Sequence, residues 1–163
     1  MDLGLKGKRA LVMGSSYGMG NGVARGLAAE GADIVLTARS GDILEKEATE
    51  IANTYGVRVD SIACEFAKED EIDRLIDFVL NQTGGIDIQF NNCGGPPRLL
   101  PSEVEDKTWH DWFDLIMMSA IRVTNSTLPG MRERGWGRIL SMTSSNILLA
   151  ATENVLSSSL RMS

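Results

Sequence analysis

Residues 14–20, Gly14-Ser15-Ser16-Tyr17-Gly18-Met19-Gly20, form the stretch whose residue types and spacing point most directly to chemistry. Glycines permit a tight turn and let the backbone come close to a pyrophosphate. A helix that starts at such a turn offers that anion unpaired N–H groups and a partial positive charge. A glycine triplet indicates a dinucleotide site when a strand precedes it and a helix follows. Gly14, Ser16, Tyr17, Gly18, Met19 and Gly20 are therefore the candidate contacts, with Tyr17 either covering the ligand or facing solvent. A second loop, Asn91-Asn92-Cys93-Gly94-Gly95-Pro96-Pro97, cannot be helix or central strand. A third segment is rich in serine, from Met142-Thr143-Ser144-Ser145 to Ser157-Ser158-Ser159-Leu160-Arg161.

The elements that must position these loops follow from hydrophobic periodicity. Ala10-Leu11-Val12-Met13 is a short apolar run closed by Gly14, the pattern of a buried parallel strand. Met19, Val23, Ala24, Leu27 and Ala28 then form one helical stripe, with Gly31 as the terminating glycine. Ile34–Thr37 is a second strand, and Ile43, Leu44, Ala48, Ile51 and Ala52 mark a helix ended before Gly56. Val57–Cys64 predicts a third strand. Ile72, Leu75, Ile76, Val79 and Leu80 predict a helix stopped by Gly84-Gly85, with acids in its first turn to complement the dipole. Ile86–Phe90 is a fourth strand, residues 107–128 a long helix, Arg138–Met142 a fifth strand, and a last helix begins near Val155. Strands alternating with helices imply a parallel sheet with right-handed crossovers. The expected class is α/β, a three-layer, doubly wound Rossmann-type sheet of strand order 3-2-1-4-5, in one domain over residues 1–163.

The spacing G-x-x-x-G-x-G, together with Asn91-Asn92-Cys93-Gly94 after the fourth strand, resembles the short-chain dehydrogenase/reductase family. The family's motif there is Asn-Asn-Ala-Gly, from which only Cys93 departs. Trp109, Leu128-Pro129 with Met131, and Gly137-Arg138-Ile139 match further, so the resemblance covers nearly the whole chain. It implies that Asn92, Cys93 and Gly94 flank the cofactor. It also implies that an acid at the end of the second strand would favour NAD through the ribose hydroxyls. This chain has Thr37-Ala38-Arg39-Ser40 there, and Arg39 with Ser40 can pair with a 2′-phosphate. NADP(H) is expected in preference to NAD(H). Glu65-Phe66 stands where relatives carry an aspartate that holds the adenine edge.

The catalytic pattern is altered. The family uses a tyrosine acid, a lysine, a serine and an asparagine to meet the negative charge that grows on the carbonyl oxygen. By the same spacing the serine falls on Ser144, with Ser145 adjacent. The tyrosine falls on Ser157, the lysine on Arg161 and the asparagine on Ile116. A serine hydroxyl is a far weaker acid than a phenol, and an arginine does not donate its proton at ordinary pH. Ser144, Ser157 and Arg161 are the candidate catalytic residues, in a Ser-x-x-x-Arg pattern shared by a divergent set of relatives. The resemblance implies hydride exchange with a small carbonyl or alcohol substrate; the alternative is a dinucleotide-binding sensor or inactive subunit. Trp109 and Trp112 are assigned to helix packing and His110 to solvent.

Composition narrows the rest. A net charge of −6 with scattered basic residues argues against nucleic acid as partner. Two cysteines, Cys64 and Cys93, and one histidine offer no metal-ligand spacing, so no metal site is expected. No segment approaches a membrane span or a signal peptide, which points to the cytoplasm. Members of the family continue beyond the last helix with two more strands, so this chain is expected to be cut short at its C-terminus. Homo-oligomers through the long helices after strands four and five are expected from the resemblance.

Overall fold

In the computed structural model, which describes residues 3–149 and 151–161, five strands alternate with helices along the chain. They are β1 (Arg9–Met13), β2 (Asp33–Ala38), β3 (Val59–Ala63), β4 (Ile88–Asn91) and β5 (Arg138–Ser141). They form one parallel sheet of order β3-β2-β1-β4-β5. The helices are α1 (Gly18–Ala29), α2 (Gly41–Tyr55), α3 (Glu69–Asp77), α4 (Asp106–Phe113), α5 (Ser119–Glu133) and α6 (Val155–Leu160).

Strand alternation divides the core into two halves. Ala10 and Val12 of β1 face Ala24 and Ala28 of α1, and Leu36 of β2 lies with Leu44 and Ile51 of α2, all buried. Leu11 and Met13 point to the other side, where Ile72 and Leu75 of α3 and Val123 and Met131 of α5 cover them. This is the three-layer arrangement expected.

Several boundaries move. β4 starts at Ile88 rather than Ile86; Asp87, just before it, still bonds both neighbouring strands through its backbone, and its carboxylate accepts from the Arg9 amide (3.0 Å) and Arg134 Nε (2.8 Å). The long helix runs past residue 128 to Glu133. It passes through a wider turn at Asp114–Met118 and carries Pro129 inside α5. Burial of Met131 against the sheet (3% exposed) outweighs the lost proline hydrogen bond. Leu80 lies in a second wide turn, Phe78–Gln82, and is exposed. Met19 is not on the buried stripe of α1; it is 65% exposed. β5 pairs with β4 alone and is exposed along its whole length. No helix among the described residues is long and apolar enough to cross a membrane.

Candidate functional site

The strand order reverses between β1 and β4, and the loops leaving these strands open a crevice at their C-terminal ends, the usual ligand position in such sheets. Gly14 leaves β1 with φ +62°, and a Cβ there would stand 2.7 Å from Asn92 Nδ2. A Cβ on Gly20 would press into the Gly14 carbonyl oxygen. These two glycines let α1 start directly against β1, while Asn92 Nδ2 donates to Gly14 O at 3.2 Å and ties the two loops together. Gly18 differs: its φ of +64° demands glycine, yet a Cβ would meet nothing within 4 Å. Its Cα side faces open space.

Residues not singled out in the sequence hold this loop. Ser15 Oγ accepts from the Thr37 amide at 2.9 Å, and the Ser15 amide donates to Thr37 O at 3.2 Å, stapling the loop to β2. Asn21 Nδ2 donates to Ser15 O (3.2 Å) and to Glu47 Oε2 (2.8 Å), and Arg25 reaches the same carboxylate at 2.6 Å. Arg25, with help from Asn21, holds the Glu47 carboxyl below the usual range. Hydroxyl and amide side chains near a glycine turn were the available signal.

Every expected cofactor contact except Gly20 lines one cleft of about 540 Å³. Gly20 is buried within α1 and does not line the cleft. Arg39 and Ser40 form its β2 edge; both are exposed, and no protein group among the described residues pairs with the Arg39 guanidinium. Glu65 reaches the cleft, but its carboxylate is ion-paired with Lys68 Nζ at 2.8 Å. Trp112 and Leu115 also line the cleft. Trp112 stands near the end of α4, and Leu115 lies in the wide turn Asp114–Met118 that follows it.

A second pocket of about 240 Å³ adjoins the first through Met19, Asn92 and Cys93 and brings Ser144, Ser157 and Arg161 together. Ser144 Oγ accepts from the Asn146 amide at 3.2 Å, capping a short turn, and keeps its own proton free to donate. Ser145 is exposed and does not line the pocket. Ser157, in the first turn of α6, is 8% exposed, and its hydroxyl has no protein partner among the described residues. Arg161 Nη1 donates to Met142 O (2.9 Å) and Nη2 to Gly94 O (3.2 Å), clamping the end of β5 to the β4 loop. Burial pushes the Cys93 thiol up, partly opposed by the Arg161 charge. Ile116 lines an adjoining cavity of about 340 Å³, which shares Asn92, Cys93, Met142, Thr143 and Arg161 with that pocket. Among the described residues, no tyrosine or lysine lines the pocket of Ser144 and Ser157.

A family model described as short chain dehydrogenase matches residues 8–156. The 3-oxoacyl-[acyl-carrier-protein] reductase of Aquifex aeolicus is 32% identical over 144 residues, covering 88% of this chain and 58% of that protein. The D-beta-hydroxybutyrate dehydrogenase of Cupriavidus necator is 33% identical over 149 residues, covering 91% and 57%. The chain thus spans somewhat under six tenths of the length of these relatives. Among solved structures, L-sorbose reductase from Gluconobacter frateurii, complexed with NADPH and L-sorbose, superposes with a TM-score of 0.96 at 34% identity. That match covers 99% of this chain and 62% of the reductase.

Proposed function

The chain belongs to the short-chain dehydrogenase family, and from that membership and its cleft we propose that it binds NADP(H) and serves hydride transfer between nicotinamide and a small carbonyl or alcohol. The observation that carries the cofactor preference is Arg39, an exposed guanidinium without a protein partner at the β2 edge of the cleft. No acid stands in the Thr37-Ala38-Arg39-Ser40 segment. The open face of Gly18 and the start of α1 suit the pyrophosphate, and Asn92 and Cys93 line both cleft and pocket, with Gly94 on the cleft side.

A bound nicotinamide supplies or accepts the hydride. The chain's own residues meet the charge that results. The Ser144 and Ser157 hydroxyls donate to the substrate oxygen as it becomes negative, and the Arg161 charge, clamped nearby, favours that oxygen. Neither group releases a proton near neutrality, so in reduction the alkoxide takes its proton from a solvent water, which leaves as hydroxide. The unpaired thiols Cys64 and Cys93 suit a reducing compartment, in line with a cytoplasmic protein. Partly exposed Phe113 and Ile121 on the α4–α5 rod suit a homo-oligomeric contact.

The deciding experiment measures NADPH binding by fluorescence titration and NADPH consumption with a panel of aldehydes and ketones. Saturable binding with turnover is the expected result. Binding without turnover would leave a dinucleotide-binding protein that is not an oxidoreductase.

A further inference from the structure

We propose that the pocket of about 240 Å³ takes a short carbonyl or hydroxyl compound bearing a carboxylate, an oxo or hydroxy acid, and that Arg98 selects it. The inference deepens the reading above, because it places the substrate beside the dinucleotide cleft. Charge is the first argument. The chain carries a net charge of −6, yet the described residues lining this pocket include two guanidinium groups, Arg98 and Arg161, and neither Asp nor Glu. The remaining polar lining comes from amides and hydroxyls, among them Asn146, Asn154, Ser144 and Ser157. Such groups satisfy a carbonyl oxygen and leave the cations for an anion.

The two arginines differ in freedom. Arg161 is fixed on two backbone carbonyls at the inner side, next to the proposed hydride-transfer position. The Arg98 side chain is 77% exposed, and its one carboxylate partner, Glu153, is 62% exposed and 3.9 Å away. A pair this long and this wet contributes little, so a ligand carboxylate can displace it and gain a two-pronged guanidinium contact. The loop bearing Arg98 is nonetheless anchored, since Leu99 forms an isolated parallel bridge with Asn154.

The test is calorimetric titration of the protein saturated with NADP⁺, using acetoacetate, methyl acetoacetate and L-sorbose as probes. Acetoacetate should bind up to about five-fold more tightly than its neutral ester and than the ketose, as expected for one solvent-exposed charge pair. Arg98→Gln should remove that preference, Arg98→Lys should retain part of it, and NADP⁺ affinity should stay unchanged in both. Equal binding of the three probes, no binding of any, or a preference that survives in Arg98→Gln overturns the proposal. Failure of NADP⁺ itself to bind is a separate result that overturns the cofactor reading and this inference with it.

Discussion

Arg39 is where a single side chain is expected to set cofactor choice. Its guanidinium stands at the cleft edge with no protein partner, so removing it leaves no buried group unsatisfied and the fold should be indifferent. A charge-assisted contact to a 2′-phosphate is worth about 1.5–3 kcal/mol, with the lower end appropriate to an exposed residue. Arg39→Ala should therefore weaken NADPH about ten-fold or more and leave NADH nearly unaffected, as measured by titration calorimetry. An equal loss for both nucleotides would dismiss the 2′-phosphate contact. Glu65 gives the opposite lesson. Its carboxylate is held by Lys68, and that pairing raises the Lys68 pKa, so an adenine contact through Glu65 would have to compete with an existing partner.

The turn from β1 into α1 is legible from sequence because each of its requirements is local. Gly14 and Gly18 need positive φ, and Gly20 must clear the Gly14 carbonyl. Gly20→Ala should cost about 1–3 kcal/mol by overpacking and reduce NADPH affinity as α1 is pushed from β1, read by urea unfolding and titration together. The supports around the turn are not legible, since they join residues distant in sequence. Glu47 on α2 accepts from Asn21 and Arg25 on α1, and nothing in either helix announces the other. Its carboxyl is lowered from 4.5 by Arg25 first and then Asn21. The folded state therefore gains stability that is full above the unfolded value and lost as pH falls through the lower folded one. Glu47→Gln should cost about 1 kcal/mol at neutral pH, and the gap to the parent protein should close in acid below pH 4.5. A gap independent of pH would assign the cost to packing instead. The same separation explains Pro129, whose local signal to end the helix is overridden by Met131 packing on a distant sheet face. It explains Arg161 too, whose carbonyl partners lie 19 and 67 residues away.

Across the whole molecule the two halves of the site rest on supports of unequal strength. The dinucleotide cleft grows from β1 and β2, and β1 lies between two partners with Ala10, Leu11 and Val12 at 0% exposure. The pocket of Ser144, Ser157 and Arg161 hangs instead from β5, which pairs on one side only and is exposed throughout. Amide protection follows burial and the number of partners that must be lost before a bond opens. In hydrogen exchange of the protein without ligand, β1 amides should be released only by global unfolding, which for a domain costs about 5–15 kcal/mol. Amides of β5 should exchange through local opening at a clearly smaller free energy, even though Arg138 and Met142 donate to Asp87 O and Asn91 O at 2.9 Å. Arg161 closes the gap between the halves, since its two donors bridge the ends of β5 and β4. Arg161→Met should then accelerate exchange at Met142 and Thr143 and leave β1 and β2 unchanged. Equal protection of β1 and β5, or acceleration spread evenly over the sheet in that variant, would mean that the two halves open as one unit and that the clamp carries no separate weight.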